Sequence, residues 1–286
     1  MRKAGNRTAS LRVEKVNLHF EAKMSSCFHH SEAPMHTPRC FLLFRNVIAA
    51  GLLSATAVCP ADVLPWERDG LKVQHPGQVS VEFLGQVQQS PPRYQAKVSS
   101  KLFTLFDSVK GPDIHTAQLL EWAEVKPGDD VLDIGTGSGV IAVMVAPLAA
   151  HVLATDISPQ AIANADYNIQ QYSLTSKIRL SEGDLFKAVP ANEEFDVIFL
   201  NIAYPYNEKT SHFWALHERF FREVGSFLKP NGRLYYQAGF LNNVAKVQQM
   251  VRDNNLRITA MHMKDVPQYK LEPIVYVITH NPKSGG

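Results

Sequence analysis

The chain has 286 residues and a mass of 31.9 kDa, room for about two domains of roughly 150 residues or for one α/β domain with an extension. Apolar residues make up 45% and charged residues 20%, which excludes a disordered chain, a collagen and a coiled-coil rod. The net charge of +2 is too small to argue for nucleic acid by itself.

The charge is uneven: residues 1–23 carry six Lys/Arg and two Glu, a local +4, and the rest of the chain sums to −2. The expectation for this basic arm is a solvated tail. Cys27, Cys40 and Cys59 all lie in the first fifth of the chain, so a disulfide-stapled scaffold is excluded. Cys27, His29, His30, His36 and Cys40 cluster at spacings that fit no familiar zinc pattern, and no metal is expected there. Val47–Cys59 is uncharged and apolar over 13 residues, too short for a membrane span, which needs about 20. It has the length of a signal-peptide core, with Arg39 and Arg45 ahead of it and Ala55-Thr56-Ala57 as a small-residue cleavage pattern. Initiation at Met24 or Met35 would give such a leader an ordinary length. The other reading is an apolar helix packed on the core.

Residues 1–60 thus read as an N-terminal extension, and residues 61–112 as a small β-containing lead-in. The lead-in alternates in Val79–Phe83 and turns at Pro76-Gly77 and Pro91-Pro92. From residue 113 strands and helices alternate. The pattern predicts a helix over His115–Glu124, a buried strand over Asp130–Ile134, an apolar helix over Val140–Ala150 and a strand over His151–Thr155. Ser158-Pro159 opens a helix, with Ser as cap and Pro at the first helical position. Strands follow at Lys177–Leu180 and Phe195–Leu200, then a helix over Ser211–Leu228 and a turn at Pro230-Asn231-Gly232. A strand at Arg233–Gln237, a helix at Asn242–Asp253 and strands near Arg257–Met263 and Ile274–Thr279 finish the chain. This alternation predicts a mostly parallel sheet covered on both faces, with an antiparallel edge from the closing pair of strands.

The informative run is Val131–Gly139, VLDIGTGSG, in which a buried strand ends and a glycine turn opens a helix. Glycine lets the backbone bend sharply and approach a ligand, and the helix N-terminus presents free N–H groups. The dinucleotide fingerprint needs glycines at offsets 0, 2 and 5, but offset 5 is Val140 and the third glycine is at offset 4. A phosphate-binding Gly-Lys-Ser/Thr is also missing. Asp156 ends the second strand, 21 residues after Gly135, where a carboxylate can accept both hydroxyls of a ribose. Asp184 follows the third strand, placed to hold an adenine amino group while Leu185 or Phe186 covers the ring.

Together VLDIGTGSG, ATDISPQAIANA, EGDLF and FDVIFLN resemble the class I S-adenosylmethionine-dependent methyltransferases over roughly residues 113–280. The resemblance implies a Rossmann-like, doubly wound, mostly parallel seven-stranded sheet in a catalytic domain at 113–282, and S-adenosyl-L-methionine as cofactor. By it Gly135, Gly137 and Gly139 pass the methionine part, Asp156 holds the ribose, Asp184 and Leu185 frame the adenine, and Asp133, Thr136 and Ile157 are further cofactor-binding residues.

Phe195–Tyr204 resembles the segment ending in Asn-Pro-Pro-Tyr in methyltransferases acting on planar amino nitrogens, among them the release-factor glutamine and adenine methyltransferases. Asn201 and Tyr204 fall in register and are the implied catalytic pair, with Asn201 also at the cofactor edge. The helix Thr116–Ala123 resembles that of the glutamine enzymes. Both prolines are replaced, by Ile202 and Ala203. The Asn201 side-chain oxygen and the Ile202 carbonyl remain as acceptors for the two N–H bonds of an amide or aryl amine, so proline supplies stiffness and not an acceptor. His212 and His217 are read as candidate bases for an oxygen acceptor, more simply as helix-surface histidines; Phe213, Trp214, Phe220 and Phe221 read as core. The expected function is methyl transfer to a protein glutamine amide or a nucleobase amine. The alternatives are a small-molecule acceptor and a non-catalytic interaction domain. The cofactor favours the cytoplasm, the segment near 40–59 leaves export open, and no stable membrane span is expected.

Overall fold

The computed structural model describes residues 79–205, 207–238, 243–263 and 274–282. The N-terminal extension, its Cys/His cluster, the signal-like segment and the Pro76-Gly77 turn lie outside the described residues.

The lead-in is a three-stranded antiparallel meander of β1 (Val81–Gln89), β2 (Pro92–Val98) and β3 (Lys101–Phe106). Helix α1 (Ile114–Trp122) follows, capped by Asp113, whose side chain accepts from the His115 and Thr116 amides. The main fold then runs β4 (Asp130–Ile134), α2 (Val140–Val145), β5 (His151–Asp156), α3 (Pro159–Gln171), β6 (Ile178–Glu182), β7 (Phe195–Leu200), α4 (Phe213–Val224), β8 (Leu228–Gln237), α5 (Val244–Asp253), β9 (Leu256–Met263) and β10 (Ile274–His280).

These last seven strands form one sheet in the order β6-β5-β4-β7-β8-β10-β9. The pairs from β6 through β8 are parallel; β10 runs antiparallel to both β8 and β9 at the far end. The chain leaves β4 toward β5 and β6, then returns to β7 on the other side. The crevice beyond the carboxyl ends of β4 and β7 is therefore the topological switch point, where open α/β sheets bind ligands.

Alternation along each strand builds two cores. Val131, Val152, Val197, Phe199 and Tyr235 face α1, α2 and α3. Leu132, Ile134, Leu153, Ile198, Leu200 and Tyr236 face Phe220, Phe221 and Val224 of α4 and Val247, Met250 and Val251 of α5.

Two predicted helices end earlier than expected. Helix α2 stops at Val145, with Ala146 as its C-cap, because Pro147 has no N–H to donate and cannot continue the ladder. Helix α4 stops at Gly225. The Pro230-Asn231-Gly232 turn is a bulge within β8: Phe195 pairs with Leu228, whereas Val197 pairs with Arg233.

The meander docks through two asparagines of α3. Asn164 Oδ1 accepts from the Phe106 amide (2.8 Å) and Asn168 Oδ1 from the Thr104 amide (3.0 Å), while both side-chain amides donate to the Thr104 carbonyl. These bonds close the free edge of β3. Asn168 Nδ2 also donates to the Ser138 carbonyl (2.8 Å), tying the meander to the glycine turn. Among the described residues no helix is long and apolar enough to cross a membrane.

Candidate active site

The glycine turn is built by the neighbouring strand. The amides of Gly135 and Thr136 both donate to the Thr155 carbonyl of β5, at 2.8 and 2.9 Å. Gly139 caps α2 in the left-handed conformation (φ 79°), and a Cβ there would lie 3.1 Å from Ala165 of α3. A Cβ on Gly135 would collide with Cγ2 of Ile202. Glycine is thus required twice, by conformation and by close packing.

Asp133 lies under this turn, fully buried, and accepts from the Thr136 hydroxyl at 2.6 Å. Burial pushes its carboxyl up to about 6, against the opposing Thr136 hydroxyl and Ala142 amide. Asp156 stands at the end of β5 with Oδ2 accepting from the Gly137 amide and Oδ1 from the Ser158 amide, both at 2.9 Å. Each oxygen keeps a lone pair, so the carboxylate is oriented and still able to accept a diol. Ile157 beside it is 66% exposed. Helix α3 takes its cap from Ser158, not from Asp156.

Asp184 follows β6 and is paired with Arg219 of α4, with Lys187 at 3.6 Å. Leu185 is buried with a left-handed backbone (φ 51°). Phe186 does not face the crevice. Its ring stacks on Phe227 (4.5 Å) and Phe220 (5.3 Å) in the core, so of the two rings and chains considered for covering an adenine only Leu185 remains.

Asn201 directly follows β7. Its Nδ2 donates to Thr116 Oγ1 of α1 at 3.2 Å, which turns Oδ1 away as an acceptor. The Tyr204 hydroxyl meets His115 Nε2 at 2.8 Å, and Gln237 Nε2 donates to His115 Nδ1 at 2.6 Å. Since Nδ1 accepts, Nε2 carries the proton and donates to the Tyr204 oxygen. Burial lowers the His115 pKa, with Asp113 opposing. The two rings meet edge to face at 5.4 Å.

His217 corrects the sequence reading: it is buried, not on a solvated surface. Its Nε2 meets the Ala203 carbonyl at 2.9 Å and its Nδ1 the Tyr236 hydroxyl at 2.8 Å. Asn243 Nδ2 donates to the Pro205 carbonyl at 2.8 Å. His212 is exposed and faces the Lys209 carbonyl. Phe220 and Phe221 are core, as their spacing predicts.

The fold therefore brings the glycine turn, Asp156, Ile157 and Asn201 to the carboxyl ends of the adjacent strands β4, β5 and β7. Sequence reasoning missed His115, Gln237, Tyr236 and Asn243. Each sits among other polar residues in an element of mixed composition and belongs to no motif that would single it out. Thr116 lay inside the helix already noted for its resemblance, but its contact with Asn201 spans 85 positions.

A ligand crevice at the β4/β7 switch point, under this strand order, is the arrangement of the Rossmann-like methyltransferases, whose cofactor is S-adenosyl-L-methionine. The chain belongs to the methyltransferase small domain family, whose model matches residues 103–255. It is 43% identical over 88 residues to the release factor glutamine methyltransferase of Bordetella pertussis, covering 30% of this chain and 32% of that protein. It is 38% identical over 87 residues to the tRNA1(Val) (adenine(37)-N6)-methyltransferase of Histophilus somni, covering 29% of this chain and 37% of that protein. The chain thus spans about a third of the length of these relatives. Among solved structures, the ribosomal protein L11 methylase of Lactobacillus delbrueckii subsp. bulgaricus superposes with a TM-score of 0.50 and 25% identity, over 62% of this chain and 84% of that one.

Proposed function

We propose that this protein transfers a methyl group from S-adenosyl-L-methionine to a planar amino nitrogen, a protein glutamine amide or a nucleobase amine. The observation that carries the reading is the orientation of Asn201. Thr116 takes its Nδ2, which leaves Oδ1 as the acceptor offered to a substrate N–H, with the Ile202 carbonyl as the second. Two acceptors suit the two N–H bonds of an amide or aryl amine and repel a carboxylate.

The catalytic domain is taken as residues 113–282, with the meander as its lead-in. The residues present fit the cofactor. Asp156 accepts the ribose hydroxyls, and its hold on the Gly137 amide joins that contact to the glycine turn. Gly135, Thr136, Gly137 and Gly139 pass the methionine part, with Asp133 beneath them. Ile157 and Leu185 flank the adenine, and Asp184 receives its amino group on the side away from Arg219. When bound, the cofactor supplies an electrophilic methyl on a sulfonium.

Asn201 and the Ile202 carbonyl draw on the acceptor N–H bonds and hold the nitrogen lone pair toward the methyl carbon. With the cofactor bound, that nitrogen would take the methyl group as the sulfonium leaves as a neutral thioether, and the N–H proton would pass to water. Tyr204, fixed by His115, lines the acceptor's planar face. The names of the two relatives, one acting on a release-factor glutamine and one on a tRNA adenine, support the acceptor class.

Calorimetric titration of the chain with S-adenosylmethionine and with its demethylated product tests the cofactor site; micromolar binding of both is expected. Transfer of labelled methyl to a release factor and to bulk tRNA tests the acceptor. Label on neither, from a chain that binds both cofactor forms, would remove the amino-nitrogen reading. A well-folded chain that binds neither form would be a non-catalytic relative.

A further inference from the structure

Loss of both prolines frees the backbone φ angles of Ile202 and Ala203 in the loop that presents the acceptor contacts. Side chains from distant elements hold this loop at four successive points. Thr116 holds Asn201, His217 holds the Ala203 carbonyl, His115 holds Tyr204 and Asn243 holds the Pro205 carbonyl. Among the described residues, the His217 bond grips the loop at the second substituted position.

We propose that His217 is a positioning residue that replaces, by a hydrogen bond to the Ala203 carbonyl, the backbone restraint that proline gives in the Asn-Pro-Pro-Tyr pattern. This rests on reading Asn201–Tyr204 as the acceptor site. The hydrogen-bond inventory fixes the tautomer. A bare Nε2 facing the Ala203 carbonyl would set two acceptors against each other. Nε2 therefore carries the proton and donates to Ala203, and Nδ1 accepts from the Tyr236 hydroxyl. Tyr236 is fully buried and so points its proton at His217 and orients the ring. Trp214 packs against the ring at 5.9 Å from the same helix. Burial lowers the His217 pKa, which keeps the ring neutral, as this pairing requires. With the Ala203 peptide held, the Ile202 carbonyl one residue earlier keeps its aim at the acceptor nitrogen.

The test compares His217→Leu, His217→Gln, Tyr236→Phe and the double variant His217→Leu/Ala203→Pro in the full chain. Affinity for the demethylated cofactor, amide hydrogen exchange over residues 201–210, and kcat and KM with release factor and tRNA are measured. His217→Leu and Tyr236→Phe should leave cofactor affinity within about twofold, speed amide exchange in the loop and lower kcat about tenfold or more. His217→Gln, which retains a donor near Nε2, and the Ala203→Pro double variant should restore both. Tyr236→Phe keeps the packing, so it decides the matter if His217→Leu does not fold. Unchanged loop exchange and kcat in Tyr236→Phe, or no rescue by Ala203→Pro, overturns the proposal. If the wild-type chain methylates neither acceptor, the functional reading fails. The exchange comparison then decides His217 alone, and no change there overturns its role.

Discussion

The two loops that meet at the crevice are held in opposite ways. The glycine turn after β4 is held by backbone: its amides bond the β5 carbonyl next to them, and its glycines supply the conformations the bend needs. The acceptor loop after β7 is held by side chains from α1, α4 and the segments after β8, up to 89 positions away in sequence. A cofactor shared by a whole class suits a template written locally into the backbone. An acceptor site that differs between relatives suits restraints that can be exchanged one side chain at a time.

Breaking this contrast calls first for Asn201→Ala. Loss of the oriented acceptor should lower kcat on the order of 100- to 1000-fold, with cofactor affinity nearly unchanged by calorimetry. Abolished cofactor binding would move Asn201 to the cofactor side and blur the division.

Asp133 tests the turn itself. Its pKa is raised from 3.8 to about 6 in the fold by burial, so the folded state holds the proton more tightly than the unfolded chain. Its contribution is most favourable below pH 4 and is lost as pH rises toward 6, by roughly 3 kcal/mol in all. Urea melts between pH 4 and 7 should show wild type losing stability relative to Asp133→Asn over that window. A constant difference would mean that Asp133 is ionised throughout.

Asp156→Ala should weaken S-adenosylmethionine binding by roughly 2 kcal/mol, the worth of a hydrogen bond to a charged group. Unchanged affinity would remove the ribose assignment. The smallest effect is expected for Ser158→Ala, which removes the α3 cap bond at 3.3 Å. It should lower stability by about 1 kcal/mol and leave cofactor affinity within error in a thermal-shift titration.

How much was legible follows the same contrast. Glycines at fixed offsets, a carboxylate at the end of the next strand and a Ser-Pro helix start are local signals, because their causes lie within a few residues. The early end of α2 was legible too, from Pro147, though the apolar run through Ala150 concealed it. The Pro230-Asn231-Gly232 stretch has turn chemistry and still entered β8 as a bulge, because strand pairing on both sides outweighs three residues of local preference. Phe186 had the right position for a ring cover but turned inward, since Phe220 and Phe227 stack against it in a buried site.

The sequence by itself determined the class of fold and the glycine turn after β4, because hydrophobic period and glycine spacing act over short distances. Only the tertiary structure decided how the acceptor loop is held. His217, read as a helix-surface histidine, became a buried donor with one permitted tautomer. A threonine and an asparagine from other elements closed the remaining bonds. Those pairings depend on which strand lies beside which, and that order is set by the packing of the whole sheet.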